Sequence, residues 1–356
     1  MGPAPAAHDA MRIAMISTPF VSVPPMNYGG TELVVYELVQ GLVEGGHEVT
    51  LFATGDSHTQ GELRSLYSQP QWPPEPLAEL NHVSWAMGEI AAGDFDLIHA
   101  HSALALAMTR LLPLPPLVYT IHHTLTAEFS DLYRFFPEAQ YVAISRNQKQ
   151  LEIPLPRCQV IPHGLDPRPF RCGEPEDYVC FIGRFSETKG PHVAIDAARK
   201  ARVPIRLGGG VHPPDREFFR REMEPRLNLS HVSYLGCIGL AQKVPLLMRA
   251  RALLSPIDWE EPFGLVMLEA MLSGCPVVAF PRGSVRELVE PGVTGFIVES
   301  LEEMADTIRP GGPLESFDRA RCRDHAATRF SRDRLVADHL RLYRQVLARH
   351  SQPIPT

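Results

Sequence analysis

Residues 12–53 read in five blocks: R-I-A-M-I-S (12–17), T-P-F-V-S-V-P-P-M-N-Y-G-G (18–30), T-E-L-V-V-Y-E-L-V-Q-G-L-V-E (31–44), G-G-H (45–47) and E-V-T-L-F-A (48–53). The first block is a short apolar run that predicts a buried strand, and the second is a loop carrying prolines and glycines. In the third, Leu33, Val34, Leu38, Leu42 and Val43 recur at helical spacing and supply an inner face. Gly45 and Gly46 end that helix, and residues 48–53 make the next strand. Strand, loop, helix, strand is a βαβ unit, the building block of a doubly wound parallel sheet. The loop does not match G-x-G-x-x-G, so a nicotinamide cofactor is not indicated. Gly29 and Gly30 either let backbone approach a ligand closely or simply permit a tight turn.

The chain has 356 residues, more than one ordinary core accommodates, and suits two domains. Hydrophobic residues make up 44% and charged ones 21%, the balance of a globular protein rather than a disordered one. A net charge of −7 argues against nucleic acid as a partner. The cysteines at 158, 172, 180, 237, 275 and 322 include no C-x-x-C pair, which reads as reduced thiols rather than a disulfide frame or zinc site. Residues 1–10 lack the basic start and apolar run of a secretory signal and are read as a disordered leader. The most apolar region, 103–121, is broken by Arg110 and three prolines, so no integral membrane segment is expected. A cytoplasmic location is the default expectation. Arg216, Arg220, Arg221 and Arg226 form a basic face that leaves membrane association open, although Glu217, Glu222 and Glu224 dilute it toward an ordinary solvated helix.

Two patterns invite metal readings. Asp94-Phe95-Asp96 has the form D-x-D, but Leu97, Ile98 and His99 follow at once as a strand, so it reads as a turn into that strand. His99 and His101 close one predicted strand, and His122 and His123 the next. No cysteine or acidic residue stands at a fitting spacing for a further ligand, so hydrogen-bonded histidines are preferred to zinc, and no metal is expected. The proline-rich stretch 167–177 reads as a linker.

Residues 178–190 read Y-V-C-F-I-G-R-F-S-E-T-K-G. An apolar strand ends at Gly183, and Arg184 and Lys189 follow before Gly190-Pro191 opens a helix. Cations at the carboxyl end of a buried strand stand where α/β sheets bind ligands. Arginine can grip two phosphate oxygens at once, and lysine adds a mobile point charge. Residues 259–270 read W-E-E-P-F-G-L-V-M-L-E-A, with Pro262 suited to a helix's first turn. Glu261 then lies before the helix and Glu269 about a turn and a half inside it, roughly 7 Å further along the axis. The helix start offers free N–H groups to a phosphate or sugar oxygen. A carboxylate interrupting an otherwise apolar helix needs a partner, which favours a functional Glu269. Gly208-Gly209-Gly210 at the end of another predicted strand either admits a base or ribose, or is a flexible turn. Residues 333–350 form a final amphipathic helix.

In this order the segments resemble the retaining GT-B glycosyltransferases, in particular the large family 4. The resemblance rests on G-R-x4-K-G (183–190) and on E-x7-E at Glu261 and Glu269. It continues in G-C-P-V-V-A (274–279), G-V-T-G-F-I-V (292–298), Y-G-G-T-E (28–32), D-L-I-H-A-H (96–101) and V-I-P-H-G-L-D (160–166). It spans nearly the whole chain after Met11. It implies an α/β fold of two Rossmann-like doubly wound parallel-sheet domains facing across a cleft. The N-terminal acceptor-side domain would comprise 11–166 with 331–356, its last helix crossing back to it, and the nucleotide-sugar-binding domain 178–330. Arg184 and Lys189 would grip the donor's diphosphate. Glu261 and the amides of Phe263, Gly264 and Leu265 would hold the donor sugar, and Glu269 the ribose hydroxyls. Gly29, Gly30, Gly183 and Gly209 would also line the donor. His122 would reach the donor sugar or the reacting centre; the next residue, Asp or Glu in many members, is here His123.

The implied reaction is hexosyl-type transfer, with retention, from a UDP- or GDP-linked sugar to a hydroxyl acceptor, which could be a glycan, a lipid-linked acceptor or a small molecule. It needs no cofactor beyond the donor and no divalent metal. A GT-B sugar-nucleotide epimerase and a non-catalytic nucleotide-sugar-binding protein are the alternatives. A hydrolase using Glu261 and Glu269 as a carboxylate pair leaves Arg184 and Lys189 without a role.

Overall fold

The computed structural model describes residues 10–350, so the leader expected at residues 1–10 lies, except for Ala10, outside the described residues. The chain divides into two compact units, one ending at Gly164 and resuming at Arg332, the other running Leu165–Ser331. Residues 167–177, read from sequence as a linker, count with the second unit. Arg323 donates to the Pro167 carbonyl at 3.2 Å, the Glu176 N–H donates to the Arg249 carbonyl at 2.7 Å, and Phe170 is buried.

The first unit contains β1 (Arg12–Ile16), α1 (Gly30–Glu44), β2 (Glu48–Phe52), β3 (Glu62–Arg64), α2 (Pro76–Ala92), β4 (Leu97–Ala100) and α3 (Leu104–Met108). It continues through β5 (Leu117–Ile121), α4 (Ala127–Arg134), β6 (Gln140–Ala143), α5 (Arg146–Leu151) and β7 (Cys158–Val160). Its seven strands are parallel in the order β3-β2-β1-β4-β5-β6-β7, so the order reverses between β1 and β4. One face packs Ala14, Ile16, Ile98, Ala100 and Tyr119 against Val83, Ala86, Met87 and Ile90 of α2.

The second unit runs β8 (Val179–Ile182), α6 (Pro191–Ala201), β9 (Ile205–Gly208), α7 (Arg216–Phe218), α8 (Glu224–Leu227), β10 (Val232–Tyr234) and α9 (Leu240–Arg249). Then come β11 (Leu253–Ser255), α10 (Leu265–Leu272), β12 (Val277–Ala279), α11 (Val285–Leu288), β13 (Gly295–Ile297), α12 (Leu301–Ile308) and α13 (Arg319–Arg329). Its six parallel strands lie in the order β10-β9-β8-β11-β12-β13, reversing between β8 and β11. Both units are thus doubly wound α/β sheets of Rossmann type.

The final helix, α14 (Arg332–His350), belongs to the first unit and is bound there by polar contacts as well as by Leu335, Leu342 and Tyr343. Arg332 pairs with Glu44 at 2.6 Å, Arg334 donates to the Pro162 and His163 carbonyls at 2.7 Å each, and Arg349 donates to Gln140 at 2.7 Å. Beneath the helix lies a row of imidazoles. The Nδ1 atom of His99 is 2.7 Å from the Tyr343 hydroxyl, its Nε2 is 2.7 Å from Thr120 Oγ1, and its ring lies 5.2 Å from that of His339. The rings of His99 and His101 are 4.4 Å apart, and His122 stacks on His163 at 5.4 Å.

Burial is the main cause of depressed basicity in all five. His99, His101 and His163 fall well below the ordinary imidazole value, His339 falls to about 4 and His122 to about 3. The folded chain therefore keeps these imidazoles neutral, whereas in the unfolded chain they protonate near pH 6.5. Their contribution to stability is complete above about pH 6.5 and is lost as pH falls from there toward 3–4. The loss is up to about 1.4 kcal/mol per pH unit for each histidine that stays neutral. Urea unfolding at pH 7.5 and 5.5 should show a clear fall in midpoint at the lower pH, and a flat profile would contradict the neutral cluster.

Candidate active site

The two stretches singled out in the second half leave neighbouring strands. β8 and β11 pair in parallel with Cys180 opposite Leu253, and the strand order reverses there. Connections from such a pair diverge and open a crevice at the carboxyl ends of the strands. From β8 the chain runs through Arg184 to Lys189, and from β11 through Trp259 to Glu261. The Asp258 N–H donates to the Thr188 carbonyl at 2.8 Å and fastens the two segments together. Lys189 forms an ion pair with Glu261 across 72 residues of sequence. Trp259 contributes twice: its indole N–H donates to Glu261 at 2.9 Å, and the Lys189 ammonium lies 4.5 Å from its ring centroid.

The helix that follows begins later than the proline suggested. Pro262 lies outside it, and α10 starts at Leu265 behind Gly264, which has φ 89° and ψ 63°. A side chain at Gly264 would be strained in that left-handed conformation, and its Cβ would meet the Met267 methyl at 2.2 Å. The loop is held from a third segment. The Ser284 N–H donates to the Glu261 carbonyl at 3.0 Å, and its hydroxyl to the Phe263 carbonyl at 2.6 Å. The Phe263 side chain is buried against Phe330, with ring centroids 5.9 Å apart, so toward a ligand this residue offers backbone rather than its ring. Glu269 is 2% exposed and pairs with Lys243 of α9. Sequence reading demanded a partner for that carboxylate but did not find this lysine.

Arg184 occupies a separate position beside Asp215, with Nε 3.4 Å from Oδ2. The triple glycine explains how the two meet. A Cβ on Gly209 would stand 1.8 Å from the Gly183 carbonyl oxygen, the Gly183 N–H donates to Gly208 at 2.9 Å, and the Phe185 N–H to Gly210 at 2.9 Å. Gly209 is therefore required by the backbone packed against it.

In the first unit Gly29 precedes α1 and Gly30 is its first residue. Thr18 donates to Glu32 at 2.6 Å, and burial raises that carboxyl above its ordinary value. His122 follows β5, with Nε2 2.7 Å from Nδ1 of His101. His123 turns elsewhere: its Nε2 lies 2.7 Å from the Tyr133 hydroxyl, and its ring stacks on Phe129 at 3.9 Å. Asp94 and Asp96 both clamp Arg12, the latter at 3.0 Å. Among the described residues no group of three histidine, cysteine or acidic side chains is placed to hold a metal, and no helix is long and apolar enough to cross a membrane.

Comparison with known proteins agrees in both units. Residues 28–168 match the model of Glycosyltransferase Family 4, and residues 166–310 that of Glycosyl transferases group 1. An uncharacterized glycosyltransferase of Methanocaldococcus jannaschii is 25% identical over 342 residues, covering 81% of this chain and 85% of its own. The phosphatidyl-myo-inositol mannosyltransferase of Mycolicibacterium smegmatis is 28% identical over 331 residues, 81% of each chain. Among solved structures, AviGT4, a glycosyltransferase involved in avilamycin A biosynthesis, aligns with TM-score 0.76 and 25% identity over 95% of this chain and 98% of its own. Sucrose-phosphate synthase from Thermosynechococcus elongatus shares the fold with TM-score 0.81 at 20% identity, over 95% and 100%. With two doubly wound sheets and both family models matched in order, the chain belongs to the GT-B glycosyltransferases of the family 4 type.

Proposed function

We propose that this glycosyltransferase moves a hexosyl group from a UDP- or GDP-linked donor to the hydroxyl of a glycan, lipid-linked or small-molecule acceptor, with retention and without a divalent metal. The observation that carries this reading is the meeting of Lys189 with Glu261 at the β8/β11 reversal, beside the opening of α10. The leaving diphosphate gathers negative charge as the C1–oxygen bond breaks. Arg184, Lys189 and the free N–H groups at the start of α10 are the groups that answer it. Glu261 positions sugar hydroxyls rather than attacking C1, and Glu269 receives the ribose hydroxyls. The acceptor oxygen bonds to C1 on the face the phosphate leaves, and its proton passes to a phosphate oxygen.

His122, uncharged at neutral pH, serves by hydrogen bonding and not as a proton donor of imidazolium type. The names of relatives fit the reading, since one is a phosphatidyl-myo-inositol mannosyltransferase and others are D-inositol 3-phosphate glycosyltransferases. Six free cysteines support a reducing, cytoplasmic setting.

The direct test mixes the protein with a panel of sugar nucleotides and follows free nucleoside diphosphate with and without acceptor hydroxyls. Release that requires acceptor is expected. Sugar inversion without release would indicate an epimerase instead, and binding alone a carrier. One preorganised contact to the developing charge is typically worth about 3–4 kcal/mol, so Lys189→Ala should lower kcat by about a hundredfold or more. Normal turnover by that variant would remove Lys189 from the leaving-group role. Glu269→Ala should act chiefly on donor affinity, read as a raised Kd for the nucleoside diphosphate. Activity should persist in a chelator, and its loss and rescue by magnesium would refute metal independence.

A further inference from the structure

Arg184 is held from one side by a residue that sequence reading passed over. Beyond Gly210 the chain runs through His212 into a 3-10 turn, Pro213–Asp215, whose two prolines restrict its backbone. The start of that segment is fastened to the residues around Arg184 by the Gly183–Gly208 and Phe185–Gly210 hydrogen bonds, both 2.9 Å. The turn brings Asp215 onto the inner edge of the guanidinium. Arg184 Nε and Asp215 Oδ2 are buried and 3.4 Å apart, within ion-pair range, yet neither atom has a hydrogen bond. The Asp215 side chain is 16% exposed and that of Arg184 35%. Among the described residues nothing else pairs with Arg184, so its outer edge, Nη1 and Nη2, is uncommitted. That edge can donate two parallel hydrogen bonds to phosphate oxygens, provided the guanidinium plane is fixed.

The geometry points to Asp215 as a positioning residue for the diphosphate grip. It steadies Arg184 through Nε so that the outer edge faces the phosphates, and the Gly208–Gly210 packing holds the two residues at the required separation. This inference rests on the assignment of Arg184 to the diphosphate and adds to it the residue that aims it. A rival account makes Asp215 no more than a carboxylate near an anion site. The two differ in sign: a bystander carboxylate repels the anion, so its neutralisation tightens binding, whereas loss of a positioning carboxylate weakens it.

The experiment is isothermal titration with inorganic pyrophosphate, which is indifferent to the nucleotide base, repeated with UDP and GDP at one fixed salt concentration. It compares the wild-type protein, Asp215→Asn, Asp215→Glu, Arg184→Ala and the Arg184→Ala/Asp215→Asn double variant. Asp215→Asn should weaken diphosphate binding by about tenfold. Asp215→Glu should recover most of the loss, and Asp215→Asn should add nothing once Arg184 is alanine. Unchanged or tighter binding by Asp215→Asn overturns the inference, as does a loss that persists in the Arg184→Ala background. If Arg184→Ala alone binds like wild type, the diphosphate assignment itself fails. That outcome is distinct from one in which Arg184 matters and Asp215 does not.

Discussion

Lys189 and Glu261 meet because β8 and β11 are neighbours at the point where strand order reverses. A charge that is mostly withdrawn from water needs a counter-charge, and the second unit meets this need repeatedly, as in Lys189–Glu261, Lys243–Glu269 and Arg184–Asp215. Removing one member of such a pair leaves the other uncompensated and typically costs about 3–5 kcal/mol when both are buried. In the proposed reaction a diphosphate can replace Glu261 at Lys189 without that penalty, because it brings the same sign and more charge. Glu261 is then released toward hydroxyl donors of the sugar. On that reading donor binding is an exchange of partners rather than the exposure of bare charges, at a pair whose two members both contact Trp259.

The first unit solves a different problem with the same architecture. At the carboxyl ends of β4 and β5 lie buried imidazoles, His101 bonded to His122 and His99 to Tyr343, and burial keeps them neutral. The row also ties the last helix to the sheet. An isolated α14 would have only one apolar stripe to bury, whereas the contacts of Arg332, Arg334, Arg349 and Tyr343 fix its register against α1 and the strand ends.

Much of this was readable from residue order. The run of strand, loop, helix and strand over residues 12–53 obeys periods that local chemistry sets, and the GT-B and family 4 reading followed from segments whose order both family models match. What escaped the sequence has a common cause. Asp215 and Lys243 act on partners 31 and 26 residues away, and nothing in P-P-D or Q-K-V marks them as different from surface charge. Pro262 was placed inside the helix by its own preference, but Gly264 in the left-handed region and the Ser284 hydrogen bonds set the true start at Leu265. Gly209 allowed two readings because a glycine's reason lies in what stands beside it, here the Gly183 carbonyl. The stretch 167–177 looked like a linker on composition alone, while its carbonyls and amides bond to Arg323 and Arg249.

Under the proposed function, the contrast between the units matches the two halves of a glycosyl transfer. A departing diphosphate presents full charges, which mobile cations and a helix start can meet only if those cations are already held in place. A hydroxyl nucleophile presents a weak acid and lone pairs, to which a charged neighbour is a hazard: an imidazolium beside it would oppose loss of its proton. Burial keeps His122 uncharged, and elsewhere in the first unit it raises the carboxyl of Glu32, which accepts from Thr18; in the proposed reaction such groups would offer an acceptor hydrogen bonding without net charge. On the proposed reaction, charge is concentrated where the leaving group would need it and suppressed where the nucleophile would suffer from it, with one repeated fold differing in what burial does to its polar residues.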